Sequence, residues 1–416
     1  MQDDIFIYVG ENGSSQLIDY CQANNISRLM LVVDDNTYAA AGQQLEESLR
    51  TKGFDLKISH LKGQEIVATE RYFVQVMLDI GREERTLVAV GSGSITDIAR
   101  FVSFFTKSDF IVFPTAASVD GYTGAGAPSV IAGFKKTVIC HSPQAVFGDL
   151  AVLSAAPQEM TASGFGDMLG KYISLADWRL GALLWNEPYD ETISRRVRVA
   201  LDRCVERVAE IGQASPEGVQ VLMDGLIESG LGMLAANSSQ PASGSEHQIS
   251  HHLEMKLLWA NKPAILHGVK VGASSVIIAR YYEQFRRLSR QAVMEQLAVA
   301  VQSSREQYIR EIEKAYPGIE AQVFAEQVSF MSLSEQGFNA LRQKVVDNWA
   351  EIQDIAAAVP SPQQMIDWLQ QAGGETDLTA LGFTSQEVQE ALDYSHLLRN
   401  RFNINKLRHL FRINIV

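Results

Sequence analysis

A chain of 416 residues is too long for one hydrophobic core of ordinary size, so its length predicts two domains. Its 36 Lys and Arg residues against 49 Asp and Glu residues give a formal net charge of −13, which would repel nucleic acid and an anionic membrane surface alike. Cys21, Cys140 and Cys204 are odd in number, far apart and without a CxxC pair, so neither a disulfide framework nor a cysteine-bound zinc is indicated. The N-terminal run MQDDIFIYVG has no basic segment, and no window reaches about 18 uninterrupted apolar residues, so we expect a cytoplasmic protein without membrane insertion.

The first 150 residues or so contain five short runs of apolar and β-branched residues: IFIYV, RLMLVVDD, DLKISHL, TLVAVG and DFIVFPT. The stretches between them carry apolar residues at helical spacing. Strict alternation of strand and helix predicts βαβ units, and therefore an α/β domain with a mostly parallel sheet and helices on both faces.

After about residue 160 the strand-like runs give way to helical periodicity. Several helix ends are legible there, namely an N-cap with proline at the first position (Ser361, Pro362), a C-terminal glycine (Gly373) and a capping box (Thr384, Glu387). The junction is predicted in SAAPQEM, residues 154–160. We therefore expect an α/β nucleotide-binding domain over 1–158 and an all-helical metal- and substrate-binding domain over 159–416.

A glycine-rich turn follows the fourth predicted strand, with Gly91, Ser92, Gly93 and Ser94 leading into a helix that should begin near Ile95. Such a turn lets the backbone approach a pyrophosphate closely, and the helix N-terminus offers free N–H groups. The motif is not the full GxGxxG, so a tight turn without a ligand is the alternative.

Polar residues also end two other predicted strands. Asp34 could accept hydrogen bonds from an adenosine ribose and disfavour a 2′-phosphate, which favours NAD over NADP, although it could equally cap the next helix. Thr115, Ser118 and Asp120 follow the fifth strand, at the sheet edge where α/β proteins bind ligands, although such a loop can also lack a ligand.

The stretch ASGSEHQISHHLEM places His247 and His251 on one face of a predicted helix. The run HQISH lacks the glutamate of a zinc protease, and paired histidines also occur on solvated surfaces. Asp167 follows two glycines at the expected start of an apolar helix, where it could instead be an N-cap, and His267 is expected at another helix start. One Asp and two His around an open position are the ligands expected of a catalytic Zn²⁺ or a similar ion.

Five motifs in this order, GSGSITD, PTAASVDG, GFGDMLGK, PASGSEHQISHHLEM and LHGVKVG, resemble the bacterial branch of the glycerol-1-phosphate dehydrogenase family. That family lies within the superfamily of iron-type alcohol dehydrogenases, glycerol dehydrogenases and dehydroquinate synthases. The resemblance covers about residues 25–285. It implies a dehydroquinate-synthase-like two-domain protein with NAD(P)H and one divalent metal ion in the cleft between the domains, assembled as a homo-oligomer, with a dimer as the first expectation.

The resemblance also assigns roles to the histidine region. It implies that Asp167, His247 and His267 bind the metal and that His251 contacts the substrate or relays a proton. His252 has no matching role and is expected on the surface. Lys171 stands where some iron-type members carry a further His ligand, so nickel or zinc is favoured over iron.

In the nucleotide half the resemblance places the pyrophosphate at residues 91–94, Asp97 on the nicotinamide side and Asp120 near the substrate. Lys135 and Lys136, in AGFKKTVIC, are candidates for the substrate phosphate because dehydroquinate synthases carry a Lys in a comparable hairpin. An adjacent lysine pair in a solvated turn is the alternative reading.

The implied reaction is the reversible reduction of dihydroxyacetone phosphate to sn-glycerol 1-phosphate, with phospholipid synthesis as the expected destination. The metal would polarise the ketone, hydride would come from the nicotinamide, and water or His251 would supply the proton. The alternatives are a polyol or glycerol dehydrogenase, a dehydroquinate-synthase-like lyase, and a catalytically silent subunit that binds nucleotide.

Overall fold

A six-stranded parallel sheet forms the core of the N-terminal part of the computed structural model, which describes residues 5–131 and 133–413. The strand order is β1-β8-β5-β4-β2-β3, with a separate antiparallel hairpin of β6 and β7. The strands are β1 (Phe6–Gly10), β2 (Arg28–Asp34), β3 (Asp55–Leu61), β4 (Thr86–Val90), β5 (Phe110–Phe113), β6 (Gly126–Ile131), β7 (Phe134–Ile139) and β8 (Ala145–Asp149). All five predicted strands are confirmed, and the first four residues of the N-terminal run lie outside the described part. The central strands are buried along nearly their whole length, which is typical of a parallel sheet.

Helices connect β1 through β5, as the alternation predicts, and a short helix follows β8. They are α1 (Gly13–Ala23), α2 (Asp35–Thr37), α3 (Gln43–Thr51), α4 (Glu70–Ile80), α5 (Gly93–Thr106) and α6 (Leu150–Ser154). A π-helical turn, Tyr38–Gly42, joins α2 to α3. The α/β fold class of this part of the chain is therefore confirmed.

The remainder of the described chain is helical, which confirms the second part of the fold prediction. The helices are α7 (Gln158–Leu169), α8 (Lys171–Trp185), α9 (Glu191–Glu206), α10 (Val208–Gly212), α11 (Pro216–Ala236), α12 (Ser245–Trp259), α13 (His267–Arg287), α14 (Arg290–Ala298), α15 (Arg305–Ala315), α16 (Glu320–Met331), α17 (Glu335–Asp347), α18 (Trp349–Ala357), α19 (Pro362–Gln371), α20 (Ser385–Tyr394) and α21 (Ile404–Phe411).

The predicted helix ends are confirmed by their hydrogen bonds. Ser361 Oγ accepts from the backbone N–H of Gln364 at 3.2 Å, Thr384 and Glu387 form a capping box, and Gly373 follows α19 with φ of 78°.

Two compact units make up the chain, and neither is continuous in sequence. The first runs up to Met168 and takes in Asp202–Asn237 and Gln371–Gly373, whereas the second comprises Leu169–Leu201, Ser238–Gln370 and the chain from Gly374 onwards. Helix α11 thus packs with the sheet. Gln220, on α11, donates to the backbone oxygen of Val9 at 3.1 Å. The predicted domain limits separate the α/β elements from the later helices, whereas these two units group the segments that pack against one another.

Helix α11 is the one helix among the described residues that is long and apolar enough to cross a membrane by length and composition. Half of its apolar window is buried inside the fold. Its contact with β1 accounts for part of that burial.

Gly164 allows α7 to pack directly on the loop after β5. A Cβ at this position would lie 2.0 Å from the backbone oxygen of Ala117, a distance that no real Cβ tolerates.

We predict that Gly164→Ala lowers the free energy of unfolding by more than about 2 kcal/mol, because backbone rather than a flexible side chain must move. Urea unfolding would measure this loss. Gly124→Ala is the control, since its Cβ would meet only the backbone oxygen of Gly121 at 3.9 Å, and an equal loss in both variants would contradict the prediction.

Candidate functional site

The predicted phosphate loop lies at the carboxyl end of β4, as expected. Helix α5 begins at Gly93, two residues earlier than Ile95, so Ser94 stands in its first turn. A Cβ at Gly91 would lie 2.7 Å from Ile95 Cβ, which accounts for the glycine in this tight turn. The Ser92 side chain makes no capping hydrogen bond to the helix, so it does not compete with an anion for the first N–H groups.

Arg100 is a buried residue that sequence reasoning missed. Its guanidinium donates to Asp97 Oδ1 at 2.8 Å and to the backbone oxygens of Gly126 at 2.9 Å, Gly121 at 2.5 Å and Tyr122 at 3.1 Å. It therefore ties α5 to the loop that follows the predicted substrate-binding residues. The one available signal was a single arginine within the apolar run DIARFVSFF.

Asp97 and the two lysines of β7 lie in the same unit. Burial raises the pKa of Asp97 to about 7, although Arg100 and Lys135 both lower it. Lys135 is half-buried and close enough to act on Asp97, whereas Lys136 is exposed, as expected for successive residues of a strand. The reading of this pair as a solvated turn is wrong, because both residues lie within β7.

Asp34 caps α2, which confirms the alternative that the sequence left open. Its Oδ1 accepts from the backbone N–H of Thr37 at 2.8 Å, and Thr37 Oγ1 accepts from the backbone N–H of Asp34 at 2.9 Å. The neighbouring Asp35 forms an ion pair with Lys62, and its Oδ1 is 2.8 Å from His60 Nε2. Asp34 ends strand β2 at the same sheet edge as the phosphate loop.

The loop after β5 buries all three of its predicted site residues, Thr115, Ser118 and Asp120. The backbone N–H of Asp120 donates to Asp167 Oδ2 at 3.1 Å, and Asp120 Oδ2 accepts from Ser229 Oγ at 2.8 Å. Asp120 is thus fixed by both its main chain and its side chain, next to the predicted metal-binding carboxylate.

Asp167 does not open a helix, so the expected position and the N-cap alternative are both wrong. It lies in the last turn of α7, and Gly170 is the N-cap of α8. The residue is fully buried, and a buried carboxylate is stable only where cations or N–H groups face it.

The three predicted imidazoles converge. His247 lies in the first turn of α12, His251 one turn later, and His267 is the first residue of α13, as predicted. Ring centroids are 5.1 Å apart for His247 and His267, 5.5 Å for His251 and His267, and 6.1 Å for His247 and His251. His247 is buried, whereas the side chain of His251 is 27% exposed, so the solvated-surface alternative fails for the first of the pair.

Two sets of side chains within the described residues could hold a metal ion. Asp167, His247 and His267 are the set that the resemblance predicts, and His251, Glu254 and His267 form the other, with the ligand atoms of this second set within 4.8 Å of one another. The first set matches the carboxylate and imidazole donors that suit zinc, nickel or iron. His247 Nδ1 is 2.6 Å from Glu246 Oε1, an arrangement that leaves Nε2 for a metal. These residues therefore fit a divalent ion.

The expectation that His252 is on the surface is wrong. The residue is fully buried, and its Nδ1 is 2.9 Å from the Tyr316 hydroxyl. Burial lowers the pKa of His252 to about 3, so the ring is neutral. Helix α12 buries several of its faces, which a pattern of polar residues in the sequence does not reveal.

The fold defines the class of protein. The family model for iron-containing alcohol dehydrogenase matches residues 8–157. The crystal structure of a probable glycerol dehydrogenase from Sinorhizobium meliloti 1021 superposes with a TM-score of 0.61 at 16% identity, covering 98% of this chain and 95% of that one. This likeness establishes a shared two-domain fold.

Curated relatives establish the family. The glycerol-1-phosphate dehydrogenase (NAD(P)+) of Bacillus subtilis (strain 168) is 36% identical over 398 residues, which cover 95% of this chain and 88% of that protein. The protein of the same name from Bacillus velezensis is 36% identical over 399 residues, covering 95% and 89%. The chain belongs to the glycerol-1-phosphate dehydrogenase family, and the similarity extends well beyond residue 285, where the recognisable motifs end.

Arg100 should stabilise the fold, and its contribution to the free energy of unfolding should be larger at higher pH. We predict that Arg100→Met costs at least about 3 kcal/mol, because it leaves Asp97 and three carbonyl groups without their partner. The pKa of Asp97 is already raised in the folded protein, so ionisation costs stability as the pH rises through that pKa. Without Arg100 the cost of ionising Asp97 grows. Arg100→Met should therefore lose more unfolding free energy at about pH 8.5 than at about pH 5.5.

Urea unfolding of the variant at both pH values would measure this difference. Adding Asp97→Asn to Arg100→Met should recover part of the loss at the higher pH, since no carboxylate is then left buried without its cation. A loss that is the same at both pH values, and unaffected by Asp97→Asn, would contradict the proposed pairing.

Proposed function

We propose that this chain catalyses the reversible NAD(P)H-linked reduction of dihydroxyacetone phosphate to sn-glycerol 1-phosphate. The observation that carries the proposal is the convergence of His247 and His267, whose ring centroids are 5.1 Å apart, in a chain that belongs to the glycerol-1-phosphate dehydrogenase family. The buried carboxylate of Asp167 is the proposed third ligand. A catalytically silent subunit would have no physical need for this set of ligands.

In this proposal Asp167, His247 and His267 hold one divalent ion per chain, nickel or zinc. Such an ion polarises a bound carbonyl as a Lewis acid, and the nicotinamide supplies the hydride. Lys171 is fully buried, and its ammonium donates to the backbone oxygen of Ala242 at 3.1 Å. An ammonium has no lone pair for a metal, which argues against a fourth protein ligand at this position and hence against iron.

The dinucleotide is proposed to lie along the carboxyl edge of the sheet. Residues 91–94 offer the pyrophosphate a close backbone approach and the N–H groups of α5, and Asp97 lies on the nicotinamide side. Thr115 and Ser118 lie in the loop after β5, at the same edge of the sheet. The carboxylate of Asp34 retains a second oxygen for the ribose and would repel a 2′-phosphate, so we favour NADH over NADPH.

For the substrate, we propose Lys135 as the phosphate contact, because it is half-buried and acts on Asp97. Lys136 is exposed and is the weaker candidate. Asp120 is proposed to contact the substrate next to Asp167. His251 is proposed to deliver the proton, since its partial exposure allows exchange with water.

The product has the chemistry of a phospholipid backbone, so we place the reaction in lipid synthesis. We place the protein in the cytoplasm, where it draws on the dinucleotide pool. Nucleic acid is not a partner in this proposal, in keeping with the formal net charge of −13.

We predict that, with NADH and nickel- or zinc-loaded protein, kcat/KM is at least about 100-fold higher for dihydroxyacetone phosphate than for dihydroxyacetone. The reason is that a cation in the pocket pairs with the phosphate and has no partner in dihydroxyacetone. Absorbance of NADH in parallel assays would measure the two rates. Equal or reversed preference would favour a polyol dehydrogenase. No net oxidation of NADH or NADPH with either compound would favour a lyase or a silent subunit.

Matched histidine variants control this assay. His247→Ala should lose both the activity and most of the bound metal, measured by elemental analysis after loading. His252→Asn replaces a buried histidine of the same helix that is outside both candidate metal sets, so it should retain about one ion per chain despite reduced stability. Full metal content in His247→Ala would exclude the proposed ligand set.

A homodimer is the proposed assembly. Helices α4 and α5 pack together through Phe73 and Phe101, whose ring centroids are 3.9 Å apart. The two helices expose large apolar side chains, namely Val74 (52%), Leu78 (75%), Phe104 (41%) and Phe105 (53%). Exposed apolar groups on adjacent helices are typical of a subunit interface.

We predict that the double variant Leu78→Asp, Phe105→Asp is monomeric, because burying two carboxylates in an apolar interface is costly. Size-exclusion chromatography with light scattering would give the mass. Val299→Asp is the control, since Val299 is 79% exposed in the helical part of the chain, and it should remain dimeric. Dimers in all three proteins would exclude the α4–α5 face as the interface.

A further inference from the structure

The start of helix α12, which carries His247, is in contact with a segment more than 150 residues later in the sequence. We name residues 401–404 the brace segment. Arg401 Nη1 donates to the backbone oxygen of Ser243 at 2.7 Å, and Arg401 Nη2 donates to Ser239 Oγ at 2.7 Å. Asn403 Nδ2 donates to Gln248 Oε1 at 2.9 Å. The brace segment therefore holds both the approach to α12 and its first turn.

Asp177, a buried residue of α8, connects the same two parts of the chain. Its Oδ2 accepts from the backbone N–H of Ser245 at 2.8 Å and from Ser245 Oγ at 2.7 Å. Its Oδ1 accepts from the hydroxyl of Tyr282 at 2.6 Å and from the backbone N–H of Ile404 at 2.9 Å. Because the N-cap of α12 is Gly244, which has no side chain, Asp177 takes over the capping of this helix.

A second carboxylate reinforces the connection. Glu187 Oε1 accepts from the backbone N–H of Phe402 at 2.7 Å, and Oε2 accepts from Gln240 Nε2 at 2.6 Å. The brace segment and the chain that precedes α12 are thus joined through two acidic residues as well as directly through Arg401.

The network reaches the proposed ligand through Glu246. This fully buried carboxylate accepts from the backbone N–H of Gly244 at 2.9 Å, and the same oxygen is 2.6 Å from His247 Nδ1. The position of Gly244 therefore affects Glu246, and the position of Glu246 sets the tautomer and the orientation of the imidazole. A shift of the chain before α12 would therefore move the His247 nitrogen that is proposed to bind the metal.

We propose that Arg401 is a positioning residue for the metal ligand His247, acting through the brace segment, Asp177 and Glu246. This inference rests on the proposed metal site but not on the identity of the substrate. It gives the brace segment a role in setting metal affinity from a region of the chain without a recognisable motif. The relevant contacts all lie within the second compact unit.

The test compares Arg401→Met with a matched control, Arg408→Met. Arg408 is also partly buried and also donates to a backbone oxygen, that of Leu392 at 3.0 Å, but it has no described hydrogen bond to α12. We expect Arg401→Met to weaken Ni²⁺ and Zn²⁺ binding by about 10- to 100-fold, the range seen when partners of metal ligands are removed. Arg408→Met should bind both ions as the wild type does. Competition with a chromogenic chelator would give the affinities.

Hydrogen exchange of the metal-free proteins provides a readout that does not depend on metal or substrate. We expect faster exchange of the amides of residues 242–249 in Arg401→Met and unchanged exchange there in Arg408→Met. Arg401→Lys keeps one donor and should show intermediate affinity and exchange, which also covers the possibility that Arg401→Met fails to fold.

The outcomes separate this inference from the proposed reaction. Weakened metal binding and faster exchange in Arg401→Met would support the positioning role even if dihydroxyacetone phosphate is not reduced. Wild-type affinity and wild-type exchange in Arg401→Met, or equal losses in the Arg408→Met control, would overturn it. Failure of the wild type to bind either ion would overturn both the metal site and the positioning role.

Discussion

The hydrogen bond between Glu246 and His247 is the interaction on which the arrangement of the helical part depends. A buried carboxylate at 2.6 Å from Nδ1 makes the imidazole a better donor to a cation and fixes the direction of Nε2. It also carries a cost, since a buried carboxylate must be surrounded by N–H and O–H donors. The backbone N–H of Gly244 supplies one such donor to Glu246. Asp177 fixes the adjacent Ser245, and Arg401 binds the backbone oxygen of Ser243 just before the helix.

The same balance of burial and compensation shapes the nucleotide part. The chain after β5 presents buried backbone oxygens to α5. Arg100 binds three of them, and Asp97 pairs with its charge. Burying a guanidinium is tolerable only because each N–H direction that faces the loop meets an acceptor. Its removal would therefore disturb the loop that positions Asp120.

Local signals accounted for much of the fold. Strands and helices follow from hydrophobic periodicity. The capping box of Thr384 and Glu387 can be recognised from four consecutive residues. Errors arose where a residue type has two uses. Two glycines before Asp167 predicted the start of a helix. In the structure Gly164 lies within the continuous helix α7, where it allows the helix to approach Ala117 closely. His252 reads as polar surface, yet its ring packs in the core against Tyr316.

The sequence by itself determined the α/β and helical parts, the position of the glycine-rich turn after β4 and the spacing that puts His247 and His251 on one helix face. These features depend on neighbours within a few residues, so short-range geometry specifies them. Only the tertiary structure decided that α11 packs with the sheet, that Arg100 binds the loop after β5, and that Arg401 reaches Ser243. Contacts between residues far apart in sequence depend on the path of the whole chain, which periodicity and local propensity do not encode.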